Sequence, residues 1–331
     1  MLDDRKTAIL RAVVQEYVAT GQPVGSQHIS TLSSFKVSPA TVRNEMAVLE
    51  QEGYLAQPHT SAGRIPTDKG YRFFVDTIAP DGELTDVDVR QVGDFFKMAG
   101  GRLEDLLRHT STLLANITHN AAVVVGPNVE AATVRAVHIN RITARSATVV
   151  VVLSNHSVES ETVQLAEDIT DDHIAEAVTH LSKYMVGSSL SDMSPFPSTN
   201  NAHIDSVCYA AVNALGVHRN DKPVFVGGAA ALAQAFETVD VVRDVLQVIE
   251  QQYIVVSMVQ DLLDRGLSVA IGAEHGVEPL ATCSVVVAPV VADGEVLGSV
   301  GVLGPTRMNY PQALATVEVV SDHLGKRLSE N

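Results

Sequence analysis

The stretch Val37-Ser38-Pro39-Ala40-Thr41-Val42-Arg43-Asn44-Glu45-Met46-Ala47-Val48-Leu49-Glu50-Gln51-Glu52-Gly53 decides how the first part of the chain is read. Ser38 is a good helix N-cap, Pro39 suits the first helical position, and Val37 and Val42 occupy the two positions of a hydrophobic staple. Gly53 ends the helix. Val42, Met46 and Leu49 follow i, i+4, i+7 and must face a small core. At about 100° per residue the opposite face is Ala40, Asn44, Ala47 and Gln51, flanked by Thr41 and Arg43. Small residues with Thr, Arg and Asn are unusual on a solvated face. They suit a major groove, because arginine pairs with guanine, asparagine with adenine, and alanines permit close approach.

Upstream, Ile9, Leu10, Val13, Val14 and Tyr17 recur at helical spacing from Asp3 or Asp4 to Ala19, and Gly21 can close that helix. Ser26 can cap a second, shorter helix carrying Ile29 and Leu32. Two helices, a turn and a capped third helix are the parts of a helix-turn-helix with the third as reader. Downstream, Tyr54-Leu55-Ala56-Gln57-Pro58-His59-Thr60-Ser61-Ala62-Gly63-Arg64-Ile65-Pro66 reads as the hairpin wing of a winged helix, with Arg64 and the hydroxyls of Thr60 and Ser61 placed to meet phosphates. His59 either holds the turn of the wing or touches a phosphate, and Ser38 serves the helix as its cap before it serves DNA. Tyr71, Phe73 and Phe74 complete the small core.

The balance of charge sharpens this division. The 331 residues carry 23 Lys+Arg against 39 Asp+Glu, a formal net charge of −16 that taken whole argues against nucleic acid. Residues 1–76 hold eight of the bases and eight of the acids, so 15 bases and 31 acids remain for the rest. A neutral head on an acidic body suggests separate domains with separate partners. Apolar residues at 46% and a mean hydropathy of +0.14 exclude a wholly disordered chain. Cys208 and Cys283 have no CxxC spacing, so no disulfide framework, Cys-based zinc site or other cofactor is expected. The start lacks a signal peptide and no apolar run reaches the ~18 residues of a membrane span, which makes a soluble cytoplasmic protein the plain expectation. The sequons at Asn116 and Asn155 have no secretory route to serve.

In the acidic remainder, residues 79–86 read as a linker, followed by a helical stretch with Val92, Phe95, Phe96, Leu103, Leu106, Leu107 and Leu113-Leu114, interrupted at Gly100-Gly101. Strands are expected at Ala121–Val125, Val134–Ile142, Ala147–Leu153 and Val158–Leu165, then a helix over Asp171–Met185, together one mixed α+β unit. The turn to Ser, Met, Pro and Asp at Gly187–Ser198 reads as a boundary. Beyond it come a helix with Ile204, Val207, Cys208, Ala211 and Leu215, a strand at Lys222–Val226 ending in Gly227-Gly228, and helices near 239–251 and 256–264. A strand at Ser268–Gly272, a hairpin turning at Asp293-Gly294 and a final helix opened by Pro311 finish the chain.

The string Val42-Arg43-Asn44-Glu45-Met46 with Leu49-Glu50 and Gly53, then Gln57 to Thr67, then Gly70-Tyr71-Arg72, resembles the heat-inducible transcription repressor family HrcA of bacteria. Ile271-Gly272-Ala273-Glu274 and Gly304-Pro305-Thr306-Arg307-Met308-Asn309-Tyr310 resemble it again, so the likeness spans the chain. It implies an α+β multidomain fold: an N-terminal winged helix-turn-helix, and a GAF-like α+β domain with an inserted dimerisation domain. The expected division is 1–76 for the winged-helix DNA-binding domain, 77–100 for a linker and connecting helix, 101–185 and 263–331 for the GAF-like domain, and 186–262 for the insert. The resemblance further implies a homodimeric repressor of the chaperonin and DnaK operons. It would bind double-stranded DNA at the CIRCE inverted repeat and lose activity when heat diverts the GroEL chaperonin. Expected DNA-binding residues are Ser38, Ala40, Thr41, Arg43, Asn44, Ala47, His59, Thr60, Ser61 and Arg64.

Two rival classes compete with this reading. No HExxH occurs, Leu297-Gly298-Ser299-Val300-Gly301 lacks the first glycine of GxSxG, and the glycines match no dinucleotide fingerprint, which argues against an enzyme. Glu274-His275 reads as a solvated pair on a surface turn. The other rival is a winged-helix transcription factor controlled by a small ligand in the GAF-like domain, for which the sequence offers no cluster of converging polar residues.

Overall fold

The computed structural model of the chain describes residues 2–32, 37–59, 62–78, 84–99, 102–127, 132–154, 158–165, 168–189, 196–199, 201–217, 223–230, 236, 239–266 and 268–329. Thr60, Ser61, residues 79–83, Gly100-Gly101 and Asn155-His156-Ser157 lie outside the described residues. The fold is mixed α+β, with helices packed on antiparallel sheets.

Local chemistry sets the first elements. Helix α1 (Asp4–Thr20) starts where the Asp3 carboxylate accepts the Lys6 N–H, and stops at Gly21, whose φ of 67° suits glycine. Helix α2 (Ser26–Thr31) has Gly25 at its N-cap and Ser26 as its first residue, so Ser26 is not the cap it was read to be. Helix α3 (Pro39–Gln51) follows, then strands β1 (Leu55–Ala56) and β2 (Ile65–Pro66), antiparallel with Leu55 opposite Pro66. Helix α4 (Asp68–Ile78) closes this head.

Helices α5 (Asp86–Met98) and α6 (Leu103–Thr118) lead to strand β3 (Ala121–Val125). The chain then leaves for strands β4 (Val134–Thr143), β5 (Ser146–Leu153) and β6 (Val158–Gln164) and helices α7 (Asp171–Met185) and α8 (Ala202–Val217). It returns through β7 (Val224–Gly227), helices α9 (Val239–Glu250) and α10 (Gln252–Asp264), strands β8 (Val269–Ile271), β9 (Cys283–Ala292) and β10 (Glu295–Pro305), and helix α11 (Tyr310–Ser329). The strands form two larger sheets. One is five-stranded in the order β7-β3-β10-β9-β8; the other is three-stranded, β4-β5-β6; both are antiparallel throughout.

This strand order corrects the expected boundaries. Residues 121–185 are not one unit: β3 belongs to the five-stranded sheet, whereas β4 to β6 and α7 share a separate core with α8 that runs from Ala132 to Leu215. The stretch of Ser, Met, Pro and Asp read as a boundary begins inside that core unit, because Gly187 N–H donates to Val134 O at 2.9 Å and Val134 N–H to Ser188 O at 2.9 Å. The segment that departs from the main sheet and rejoins it therefore runs from about 127 to 223, not from 186 to 262, and α9 and α10 belong to the main sheet.

The five-stranded sheet is covered on both faces. Ala122, Val124, Val286 and Val300 point into the layer with α6 and α11, while Ala121, Val123, Val285 and Val287 point into the layer with α9 and α10. Burial on both sides explains why these strands read as unbroken apolar runs rather than alternating ones. The first of these layers does not stop at the head. One continuous cluster links Ile9, Val42, Leu49 and Tyr71 in the head with Val286, Tyr310 and Leu328 in the body, and the Tyr71 and Tyr310 rings lie 5.8 Å apart. The separate small core expected for the head is therefore the near end of a core shared with the body. Among the described residues no helix is long and apolar enough to cross a membrane.

Candidate nucleic-acid interface

Helix α3 presents its two faces as its sequence dictates. Val42, Met46 and Leu49 are buried, and Arg43, Asn44 and Ala40 are exposed, with Thr41 and Ala47 half-buried beside them. The Ser38 hydroxyl accepts the Thr41 N–H at 3.2 Å and lies 3.0 Å from the Thr41 hydroxyl, so Ser38 is occupied as a cap. Among the described residues the side chains of Arg43 and Asn44 make no ion pair or hydrogen bond. The acids of the same helix are covered by bases from elsewhere: Glu45 lies 3.6 Å from Arg5 and Glu50 lies 2.9 Å from Arg64. Their negative charge is thus offset locally, on the helix that would approach phosphates.

Arg64 departs from expectation. Its backbone pairs with Val24 in both directions at 2.9 Å, and its side chain, 19% exposed, turns back to Glu50. Its guanidinium thus fastens the β2 strand to the end of α3 and is not held out toward a phosphate. The pairing spans fourteen positions of chain through a hairpin, so nothing local announced it. His59 is exposed; its carbonyl accepts the Ala62 N–H at 2.9 Å, and Gln57 Nε2 donates to Ala62 O at 3.0 Å, which together set the turn between the two strands.

The head is held on the body by polar groups as well as by the shared core. From α4, Arg72 Nε donates to Glu274 Oε1 at 3.0 Å, Nη2 donates to Glu274 Oε2 and to Val269 O at 3.0 Å, and Nη1 reaches Asp76 at 3.3 Å. Glu274 also accepts the Ile271 N–H at 2.9 Å. Gly272, at φ +56°, turns the chain here, and the Asp68 carboxylate fills the space a side chain would need. The pair Glu274-His275, read as a solvated turn, is instead part of this joint: His275 is 3% exposed, with Nε2 3.0 Å from Leu280 O and Nδ1 accepting the Val277 N–H. The sequence signal that could have found it is the presence of Arg72 and Glu274 in separate stretches that resemble one family.

The joint has a titration signature. Burial holds His275 below its ordinary value, against the Leu280 and Cys283 carbonyls that favour the proton. Burial would raise Glu274, but the hydrogen bond from Arg72, the Ile271 N–H and the Arg72 charge hold it below the usual carboxylate range. Asp68 is raised by burial and by Glu274. A depressed histidine contributes stability that is full above its unfolded value of about 6.5 and declines as pH falls through the folded value. The Glu274 contribution is lost only at lower pH, below its unfolded value of 4.5, where protonation of Asp68 acts in the opposite sense. The urea midpoint is therefore expected to fall between pH 7.5 and 5.5, and His275→Gln to flatten that fall. An identical slope in the variant would remove His275 as its source.

Comparison with known proteins agrees over the full length. The family model described as HrcA protein C terminal domain matches residues 104–314. The chain is 35% identical to the heat-inducible transcription repressor HrcA of Nocardioides sp. and 36% to that of Acidothermus cellulolyticus, covering 100% of both chains in each case. It is 38% identical to that of Nocardia farcinica over 99% of this chain and 97% of the relative. A crystal structure of a hypothetical protein superposes with a TM-score of 0.75 at 24% identity, covering 100% of this chain and 99% of that one, which supports the fold. An exposed Arg and Asn face on a capped helix, carried by a chain with such relatives, defines a DNA-binding transcription repressor. The chain belongs to the HrcA family of heat-inducible transcription repressors.

Proposed function

We propose that this protein represses transcription of heat-shock chaperone genes by binding, as a homodimer, an inverted repeat of the CIRCE type. The observation that carries the reading is the exposed Arg43 and Asn44 face of α3 in a chain related over its whole length to heat-inducible repressors. Residues 1–76 act as a winged helix, with α3 in the major groove through Ala40, Thr41, Arg43, Asn44 and Ala47, capped by Ser38. The β1–β2 hairpin acts as the wing, bringing His59, Thr60 and Ser61 to the backbone, with Arg64 holding it in place. Residues 101–126 and 223–331 form the GAF-like body, residues 77–100 connect it to the head, and the segment between 127 and 222 is the dimerisation insert.

The dimer reading draws support from one face of the three-stranded sheet. Ala136, His138 and Asn140 on β4, Thr148, Val150 and Val152 on β5, and Val158, Ser160 and Thr162 on β6 share the side away from α7 and α8, exposed or half-buried. None is Asp, Glu, Lys or Arg, in a chain of net charge −16. A two-fold dimer presents two α3 helices to two half-sites. With eight bases against eight acids in each head, affinity for random DNA at physiological salt is weak, and specificity rests on directed contacts made twice. The GroEL chaperonin sustains the active fraction, as a partner that binds one state shifts the population toward it.

Footprinting on the promoter of the organism's chaperonin genes, with and without chaperonin, tests the whole reading: protection of an inverted repeat that strengthens with chaperonin is expected. An intact repeat left unprotected by folded protein would overturn it, and equal affinity for a single half-site would overturn the dimer. Arg43→Ala is expected to weaken binding to the repeat by ~1–3 kcal/mol while leaving random DNA unaffected. Equal loss on both DNAs would move Arg43 from a base to a phosphate.

A further inference from the structure

Between α10 and the corner of the five-stranded sheet lies a cavity of about 460 Å³, within the range of small-molecule sites. Val256, Val259 and Leu263 line it from α10, and Val125 and Leu297 from the strands. It exists because the strand residues beneath α10 are small at this corner. Ser299 pairs with Val125 on the face toward α10, and β10 carries its bulge between Val296 and Gly298, where the Val125 carbonyl occupies the space a side chain would need. Bulges of this kind recur where a strand must re-aim its side chains around a site.

Two polar groups face this apolar setting, one without a hydrogen-bond partner and one without a counter-charge among the described residues. Ser299 is 4% exposed and lines the cavity, and among the described residues its hydroxyl has no hydrogen-bond partner. The hydroxyl opens onto the cavity, so it is free to bond a polar group that enters there. At the mouth stands the Asp264 carboxylate, held toward the cavity by Gln260 Nε2 at 2.9 Å. The base next to it in sequence, Arg265, is committed to Asp261 at 2.7 Å, and among the described residues Asp264 has no counter-charge.

We propose that this cavity binds a small amphipathic amine: an apolar body between α10 and the sheet, a hydroxyl at the deep end meeting Ser299, and an ammonium at the mouth paired with Asp264. Neither the DNA-facing residues nor the joint between head and body takes part. The site lies at the root of the 127–223 excursion, for Gly126, which also lines it, donates its N–H to Pro223 O at 2.8 Å where the chain leaves and rejoins the sheet. An occupant there would brace both ends of that excursion.

The test uses the full chain and three probes of one shape and different charge: tyramine, tyrosol and 4-hydroxyphenylacetate, followed by thermal shift and calorimetric titration. Saturable binding of tyramine is expected, with tyrosol about tenfold weaker and 4-hydroxyphenylacetate without effect, the difference expected of one charge-assisted contact. Asp264→Asn, a change at an exposed position, should bring tyramine to the tyrosol level while leaving tyrosol unchanged, and Val256→Trp should fill the cavity and abolish both. Absence of saturable binding by any probe, equal binding of the anion, or tyramine binding unaltered in Asp264→Asn would each overturn the proposal.

Discussion

Replacing Tyr310 by alanine is expected to lower the unfolding free energy by about 4 kcal/mol, the middle of the range for aromatic truncation in a core. Tyr310 is fully buried at the first turn of α11, its hydroxyl donates to Thr306 O at 2.7 Å and shares a 2.7 Å contact with the Ser284 hydroxyl, and its ring meets Tyr71 of the head. The loss combines apolar area with a hydrogen-bond network. Tyr310→Phe isolates the second part and should cost about 1–3 kcal/mol, since it leaves Ser284 buried with fewer partners. Because the ring joins head to body, probes in both should report one urea transition that moves together in the variant. A loss below about 1 kcal/mol for Tyr310→Ala, or a head that unfolds separately in the parent protein, would contradict the shared core.

Glu274→Arg should destabilise the chain by about 2 kcal/mol, a figure for charged hydrogen bonds lowered for partial solvent screening, since Arg72 and Glu274 are 26% and 36% exposed. It removes the acceptor for two guanidinium nitrogens, leaves the Ile271 N–H unmet and sets two cations against each other. Arg72→Glu should cost a similar amount by facing two carboxylates and Asp68. The exchanged pair, Arg72→Glu with Glu274→Arg, should recover part of the loss in a double-mutant cycle, though not the bonds to Val269 O and Ile271 N–H. A coupling energy under about 0.5 kcal/mol would show the pair to be incidental to the joint.

What was legible in the sequence was local. The Ser38 cap, the Asp293-Gly294 turn, the β3 strand and the helix over Asp171–Met185 each depend on neighbours within a few positions, and each stands where its sequence placed it. The division of the body was not legible, because β3 and β5 are runs of the same Ala and Val chemistry and only strand pairing shows that they lie in different sheets. The exposed side of α3 followed from period alone, whereas the pairing of Arg64 with Glu50 required the hairpin to be folded. Glu274-His275 looked like an exposed turn because its local partners, Ile271, Val277 and Leu280, meet it through backbone groups that side-chain pattern does not reveal, and because Arg72 reaches Glu274 from about two hundred positions away.

The core that begins at Ile9 and ends at Leu328 also sets an order in time. A ribosome makes the head before the body, and its helices and hairpin can form as they emerge, yet the ring that meets Tyr71 belongs to α11, more than two hundred positions later. Until α11 has been made, the apolar side of the head that meets Tyr310 lacks part of its native cover, so the nascent chain carries an adhesive surface there. The head is made well before the helix that completes its core.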